Sequence, residues 1–142
     1  MPACITILLI HYIFISKQKT EWAFILVASV LGIIVDTLFL NLDITRFEQH
    51  EGCFIPLWLV LLWPVFSTMF YHCLSVFRQH YFLAAILGGT LEPLSYWYVS
   101  TLGIVFFPIG FEYAMVLYCV VWSFMMPLLF YISNRVQFLF LD

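Results

Sequence analysis

Apolar residues run along this chain in long stretches that short polar segments interrupt, without the strict alternation of a half-buried strand. A helix that crosses a bilayer needs about 20 mostly apolar residues, because each residue adds about 1.5 Å across about 30 Å of hydrocarbon. No internal repeat is evident. The pattern predicts an all-α polytopic transmembrane bundle, a single domain over residues 1–142. Five stretches reach or approach the length of a span: 2–16, 22–42, 54–77, 81–107 and 113–133.

The composition supports a membrane location and excludes several classes of function. Hydrophobic residues make up 65% of the chain and charged residues only 9%, whereas a soluble domain carries about 25% charged residues. Five Lys plus Arg are too few for the basic face of a nucleic-acid-binding protein. No two cysteines have the C-x-x-C spacing of a zinc or redox site. We therefore expect no metal, no other cofactor and no nucleic-acid partner.

The positions of Lys and Arg predict the orientation in the membrane. Lys17, Lys19, Arg78 and Arg135 follow the odd-numbered predicted spans, so they fall on one side of the bilayer, and the other side has only Arg46. Cytoplasmic loops carry an excess of Lys and Arg. The chain is therefore expected to be a multi-pass protein of the cell inner membrane, with its N-terminus outside and its C-terminus in the cytoplasm.

Asp36 is the first of three ionisable residues that the pattern places inside a predicted span. Such groups are costly at membrane depth, so they face the bundle interior and are candidates for function. Ser29, Gly32 and Asp36 share one helical face, and small residues there allow a neighbouring helix to approach closely. Two interpretations remain open: a proton-carrying or substrate-binding carboxylate, and a structural carboxyl group that binds a neighbouring helix.

His72 is the second of these residues, and it lies towards the cytoplasmic end of the third predicted span. Thr68, His72 and Ser75 follow one another at helical spacing. Histidine titrates near neutral pH and can act as a base, a proton relay or a ligand. A single histidine makes no metal site, so the alternative is a packed, hydrogen-bonded side chain. Trp63 lies deep in the same predicted span and is expected to pack inside the bundle.

Glu92 is the third ionisable residue, and it lies near the middle of the fourth predicted span. Pro93 follows it and should distort the helix there. Ser95 and Tyr96 lie three and four residues further on, so carboxyl, hydroxyl and phenol can line one patch. The two glycines at 88–89 are expected to open space one turn earlier. Such a patch is typical of midplane sites in transporters, and also of a hinge that satisfies its own backbone.

These polar positions, in this order, carry a resemblance to a known family. The chain resembles a family of small bacterial inner-membrane proteins that is defined only as a domain of unknown function. The resemblance covers about the last four-fifths of the chain. The matching stretches are LGIIVDTLF, PLWLVLLWPVFSTMFYHCL, LAAILGG followed by PLSYWYVSTLG, and VVWSFMMPLLFYI.

The resemblance implies six spans with both ends in the cytoplasm, so this chain is expected to lack the first span. It also implies a small residue at the position of Glu92, which moves the candidate catalytic residues to Asp36, His72 and Tyr96. It implies no established reaction, but it does imply a setting among genes that modify membrane fatty acids, including cyclopropane-type methyltransferases. The candidate substrate-binding residues are Glu92, Ser95, Thr68 and Trp63.

Three functions follow as hypotheses, and the sequence leaves open whether the chain is an enzyme. The first is an accessory protein or enzyme in membrane-lipid (fatty-acyl) modification. The second is a small proton-coupled transporter, and the third is an assembly partner without chemistry, in which the polar residues only hold helices together. The expected partners are membrane lipids and either a second copy of the chain or another membrane protein.

Overall fold

A computed structural model describes residues 2–10, 19–70 and 74–139 of the chain. The described chain is mostly helical, as the apolar stretches predict. Its α-helices are α1 (Pro2–Ile10), α2 (Lys19–Asn41), α3 (Leu57–Thr68), α4 (Tyr81–Thr101) and α5 (Phe111–Leu139). The remaining elements are a 3-10 helix (Ser75–Gln79) and two short strands, β1 (Arg46–Phe47) and β2 (Val105–Phe106).

Two of the described helices are long and apolar enough, by length and composition, to cross a bilayer. They are Lys19–Asn41 and Phe111–Phe138. Helix α4 has a comparable length of 21 residues, but Thr90, Glu92 and Ser95 lower its hydropathy. Helix α3 has only 12 residues, which corresponds to about 18 Å at 1.5 Å per residue and falls short of the hydrocarbon thickness.

The stretch 54–77 is therefore not one continuous helix, contrary to the expectation from its apolar residues. Helix α3 ends at Thr68, where the amides of Met69 and Phe70 donate to carbonyls three residues back. The hydroxyl of Thr68 also donates to the carbonyl of Val65 at 2.7 Å. Such local bonds compete with helical backbone bonds, and hydropathy alone carries no sign of them.

The helices pack in antiparallel succession, so the bundle has two ends. Helix α4 packs most extensively against α5, while α2 packs against both α3 and α5. Strands β1 and β2 pair and tie the chain after α2 to the chain after α4, which defines the ribbon end of the molecule. At the opposite end Phe70 lies between Phe24 and Phe130, with ring centroids 5.4 and 4.8 Å away.

Helices α2 and α4 end at the ribbon in the same backbone conformation. After α2, Asp43 has a φ of 56°, and the amide of the next residue donates to the carbonyl of Phe39. After α4, Gly103 has a φ of 73°, and the amide of the next residue donates to the carbonyl of Val99. This bond and a left-handed residue define the Schellman motif. Positions 60 residues apart are thus equivalent.

The pairing of the two ribbon strands also joins two residues that are 60 positions apart in the chain. Arg46 of β1 pairs with Phe106 of β2, which is its own equivalent 60 residues later, and Phe47 pairs with Val105. A pair of equivalent residues that face each other lies on a local two-fold axis. Residues 60 positions apart have the same backbone conformation here, but most of them have different side chains. This difference explains why no repeat is evident in the sequence.

The side chains of α2 are distributed with the more polar face inward. Ser29, Gly32 and Asp36 are buried, as predicted for their common face. Between Glu112 and Arg135, the exposed residues of α5 are aliphatic or aromatic. A surface that is more apolar than parts of the interior is typical of a protein surrounded by hydrocarbon rather than by water. The outward face of α2 presents Leu26, Val30, Ile34 and Leu38, and that of α5 presents Val116, Val120, Phe124 and Leu128.

Cationic residues of the described chain lie at both ends of the bundle. Lys19 begins α2, Arg78 donates to the Gln137 side chain of α5 at 2.7 Å, and Arg135 lies on the last turns of α5. All three are at the end opposite the ribbon. Arg46 lies in the ribbon itself. Lys17 lies outside the described residues.

Candidate functional site around Asp36

The carboxylate of Asp36 joins three helices through two hydrogen bonds. The residue is 2% exposed. The indole Nε1–H of Trp63 in α3 donates to Oδ2 at 2.8 Å, and the phenol of Tyr96 in α4 donates to Oδ1 at 2.8 Å. An ionised carboxyl group only accepts hydrogen bonds, so two donors suit it. We call Asp36, Trp63 and Tyr96 the Asp36 network.

The three side chains meet because each lies about one and a half turns from the ribbon end of its helix. Asp36 and Tyr96 each stand five residues before the last residue of their helices, and Trp63 stands six residues after the first residue of α3. At 1.5 Å per residue all three are about 8 Å deep. Asp36 and Tyr96 are also equivalent positions, 60 residues apart, so their hydrogen bond lies across the local two-fold axis.

Gly32 allows Trp63 to reach Asp36. A Cβ atom at Gly32 would lie 2.3 Å from each of three ring atoms of Trp63, closer than any real Cβ contact. The indole ring therefore occupies the space that a side chain on the preceding turn of α2 would fill. The predicted role of the small residues on this face, to admit a neighbouring helix, is confirmed at this position.

Helix α5 supports the network with two aromatic side chains that the sequence analysis did not single out. Trp122 stacks on Trp63, with ring centroids 5.3 Å apart and an interplanar angle of 12°. Tyr118 packs on Tyr96 with centroids 4.2 Å apart, and its hydroxyl forms a buried 2.8 Å hydrogen bond with Thr45. Both rings belong to a uniformly apolar stretch of α5, so the sequence carries no signal that distinguishes them from their neighbours.

A cavity of about 360 Å³ lies between α3 and α4, and two members of the network form part of its wall. This volume is at the lower end of the range for small-molecule sites. Trp63 and Tyr96 line the cavity while donating their polar hydrogens to Asp36 behind them. Apolar side chains complete most of the wall: Trp58, Leu59, Leu62, Val65, Phe66, Met69, Leu74, Leu91, Val99 and Met126.

Glu92 and Ser95 are the other polar residues that line the cavity within the described chain. The hydroxyl of Ser95 donates to the carbonyl of Leu91 at 2.8 Å. Glu92 is half-buried, interacts electrostatically with Asp36, and has no hydrogen bond to any residue that the structure describes. The predicted patch of carboxyl, hydroxyl and phenol is thus present on α4, which continues as a helix through Pro93.

The two glycines before Glu92 do not open space for the site, which corrects the expectation from the sequence. A Cβ atom at Gly88 would lie 2.3 Å from the carbonyl oxygen of Trp122, and one at Gly89 would lie 2.2 Å from the hydroxyl of Ser123. Helix α5 fills the space instead. Small residues allow two helix backbones to approach closely, and the glycines serve that contact.

The predicted face of Thr68, His72 and Ser75 is not part of one helix. Thr68 is the last residue of α3 and Ser75 the first of the 3-10 helix. Thr68 is buried, its hydroxyl is bonded to Val65, and it is not among the residues around the cavity. His72 lies outside the described residues.

The described residues of the site offer hydrogen-bond donors and acceptors and carboxyl groups that can carry a proton. Among the residues that the structure describes, no three His, Cys, Asp or Glu side chains lie together as a metal site would need. Asp36 holds the phenol of Tyr96 in one orientation, with the hydrogen on the side of the carboxylate. A molecule in the cavity would meet the phenol oxygen as an acceptor, the carboxyl group of Glu92, and an otherwise apolar wall.

The family of the chain was established by comparison with known proteins. Residues 1–128 match the family described as "Protein of unknown function (DUF2878)". No curated protein and no solved structure matches the chain. The match covers most of the chain and agrees with the resemblance to a family defined by a domain of unknown function. The chain therefore belongs to the DUF2878 family.

Proposed function

We propose that this chain is a multi-pass protein of the cell inner membrane that binds the acyl chain of a membrane lipid in the cavity between α3 and α4. In this proposal it serves membrane-lipid modification, either as an accessory protein or as an enzyme. The membrane location is supported by the two helices of spanning length and by the apolar outward faces of α2 and α5. The fatty-acid setting is supported by the family resemblance.

The observation that carries the proposal is the composition of the cavity wall. Most of the wall is aliphatic or aromatic, and its polar groups are confined to one side, on α4 and at Trp63. Ligand sites are typically apolar with a few polar groups that fix orientation. An acyl chain suits the apolar wall, and its polar end would lie near Tyr96 and Glu92.

In this arrangement Tyr96 and Glu92 would contact the ligand, and Asp36 would act through Tyr96 as a positioning residue. Asp36 is too deeply buried to reach the cavity while two donors cover its oxygens. If the chain is an enzyme, the phenol held by Asp36 is placed for proton transfer: its oxygen would accept a proton from the ligand while its own hydrogen moves to the Asp36 carboxylate.

The proposed topology has about five crossings, those at α1 and α3 by helices shorter than a full span, with the ribbon end outside and the opposite end in the cytoplasm. It is supported by Lys19, Arg78 and Arg135 at the end opposite the ribbon. Arg46, at the ribbon end, is paired with Asp43 at 2.6 Å. An excess of cations on one side is the signal that sets orientation.

Fatty-acid analysis of a deletion strain tests the proposal. We expect the deletion to change the profile of extracted fatty acids and the wild-type gene to restore it. Leu62→Trp, which places a larger side chain in the cavity wall, should fail to restore the profile at equal protein level. Leu38→Trp, on the outward face of α2, is the matched control and should restore it. An unchanged profile in the deletion strain, or full restoration by Leu62→Trp, would contradict the proposal.

A small proton-coupled transporter is the second candidate function. It is favoured by the placement of two carboxyl groups at one cavity, Glu92 in the wall and Asp36 behind it, because such groups can exchange a proton for a solute. Flux driven by a pH gradient into proteoliposomes distinguishes it from lipid modification, which needs no net movement of solute.

A further inference from the structure

Glu92 is the one acidic residue that the described wall of the cavity contains. Its carboxyl group has no hydrogen-bond partner within the described chain, and its neighbours in the wall are mostly aliphatic and aromatic side chains. A polar group that lacks a partner in an apolar setting is costly. Because Glu92 is half-buried and lines the cavity, a ligand there can supply the missing partner.

The electrostatic character of the cavity favours a cation as that partner. Asp36 lies behind the wall, hydrogen-bonded to Tyr96, which is one helical turn from Glu92, so two acidic groups lie close to the same space. The residues that the structure places around the cavity include no Lys, Arg or His to offset them. An anionic head group would add a third acidic group to this space, whereas an ammonium group would stabilise the ionised form of Glu92 in a medium where Coulomb interactions are strong.

The aromatic side chains in the cavity wall are also compatible with a cationic ligand. Trp58, Phe66 and Tyr96 contribute rings to the cavity. Aromatic side chains attract cations as well as apolar chains. An amphiphile could therefore place its hydrocarbon chain against the apolar wall and its ammonium head near Glu92 and the aromatic rings, within one cavity.

We propose that the cavity between α3 and α4 selects single-chain amphiphiles with a cationic amine head, and that Glu92 is the residue that binds the ammonium group. This inference rests on the proposed binding of an acyl chain in the cavity, and it adds the class of head group. A charge-assisted hydrogen bond is roughly twice as strong as a neutral one. We therefore expect an amine to bind at least about tenfold more tightly than an alcohol of the same chain length, since tenfold corresponds to about 1.4 kcal/mol.

Binding of three matched probes to the purified full chain tests the inference. Dodecylamine, dodecanol and dodecanoate are titrated separately against protein in an uncharged detergent, and the complexes are measured by native mass spectrometry. The variants are Glu92→Gln, which keeps the size of the side chain, and Glu112→Gln, an exposed glutamate in the first turn of α5, as the matched control.

We expect the wild type and Glu112→Gln to prefer dodecylamine over dodecanol by at least about tenfold, with dodecanoate weakest. Glu92→Gln should bind dodecylamine and dodecanol equally. Equal binding of amine and alcohol by the wild type would overturn the inference while leaving the acyl-chain proposal intact, and this comparison needs no variant. Retention of the amine preference by Glu92→Gln would also overturn it. If none of the probes binds to the wild type, the acyl-chain proposal itself fails.

Discussion

The hydrogen bond between Tyr96 and Asp36 can be removed by a change of a single oxygen atom. Tyr96→Phe keeps the ring that packs on Tyr118, but it removes the hydroxyl that donates to Oδ1 of Asp36 at 2.8 Å. Among the described residues, the indole of Trp63 is then the one donor that the carboxylate retains. The variant therefore tests the network without opening a large cavity.

The expected loss of stability is about 1–2 kcal/mol. A hydrogen bond to a charged group in a soluble protein contributes about 1.5–3 kcal/mol. Measured values in a membrane bundle are smaller, about 0.6 kcal/mol on average and up to about 1.7, because the unfolded chain in the membrane also finds partners. Asp36 is 2% exposed, so no solvent can replace the lost donor at Oδ1. The loss should therefore be close to the upper limit measured in membrane bundles.

Reversible unfolding of the protein in mixed detergent micelles measures this loss. The matched control is Tyr98→Phe, two residues along the same helix, where the side chain is 60% exposed. Its free energy of unfolding should stay within about 0.5 kcal/mol of the wild type, as for most exposed substitutions. If Tyr96→Phe proves no more destabilising than Tyr98→Phe, the hydrogen bond to Asp36 contributes nothing and the reasoning about the network is wrong.

The other predictions concern close approaches between helices, measured by the same unfolding assay. Gly32→Ala should destabilise the protein by about 1–3 kcal/mol, because the new methyl group would overlap the ring of Trp63 and separate α2 from α3; wild-type stability would contradict the contact. Gly88→Ala should cost a similar amount, because its methyl group meets the backbone carbonyl of Trp122, which cannot rotate away as a side chain would. The corresponding control is Val30→Ile on the outward face of α2, which should be neutral.

The sequence predicts the helical class and the inward face of α2, because both follow from local patterns. An acid at membrane depth must find a protein partner, and small residues one and two turns before it leave room for a neighbouring helix. The same reasoning places Glu92, Ser95 and Tyr96 on one patch of α4. These expectations need only the period of a helix and the cost of polar groups in hydrocarbon.

The assembly of the network could not be predicted, because it depends on which helices pack together. The apolar stretches give no common depth for Asp36 and Tyr96, because the predicted fourth span extends to residue 107 whereas α4 ends at Thr101. The backbone motif that ends α2 and α4 places Asp36 and Tyr96 at the same depth in the bundle. The motif occurs twice, but most side chains differ between its two occurrences. The end of α3 at Thr68 was not predicted, because the sequence stays apolar after this residue while the backbone hydrogen bonds change from the α-helical to the 3-10 pattern.

An experimental structure of the chain in lipid nanodiscs tests the central claim most directly. We expect Asp36 to accept hydrogen bonds from Trp63 and Tyr96 inside the bundle, and elongated density to fill the cavity between α3 and α4 with its polar end at Glu92. A closed cavity, or an Asp36 carboxylate that faces the surrounding lipid, would contradict the account.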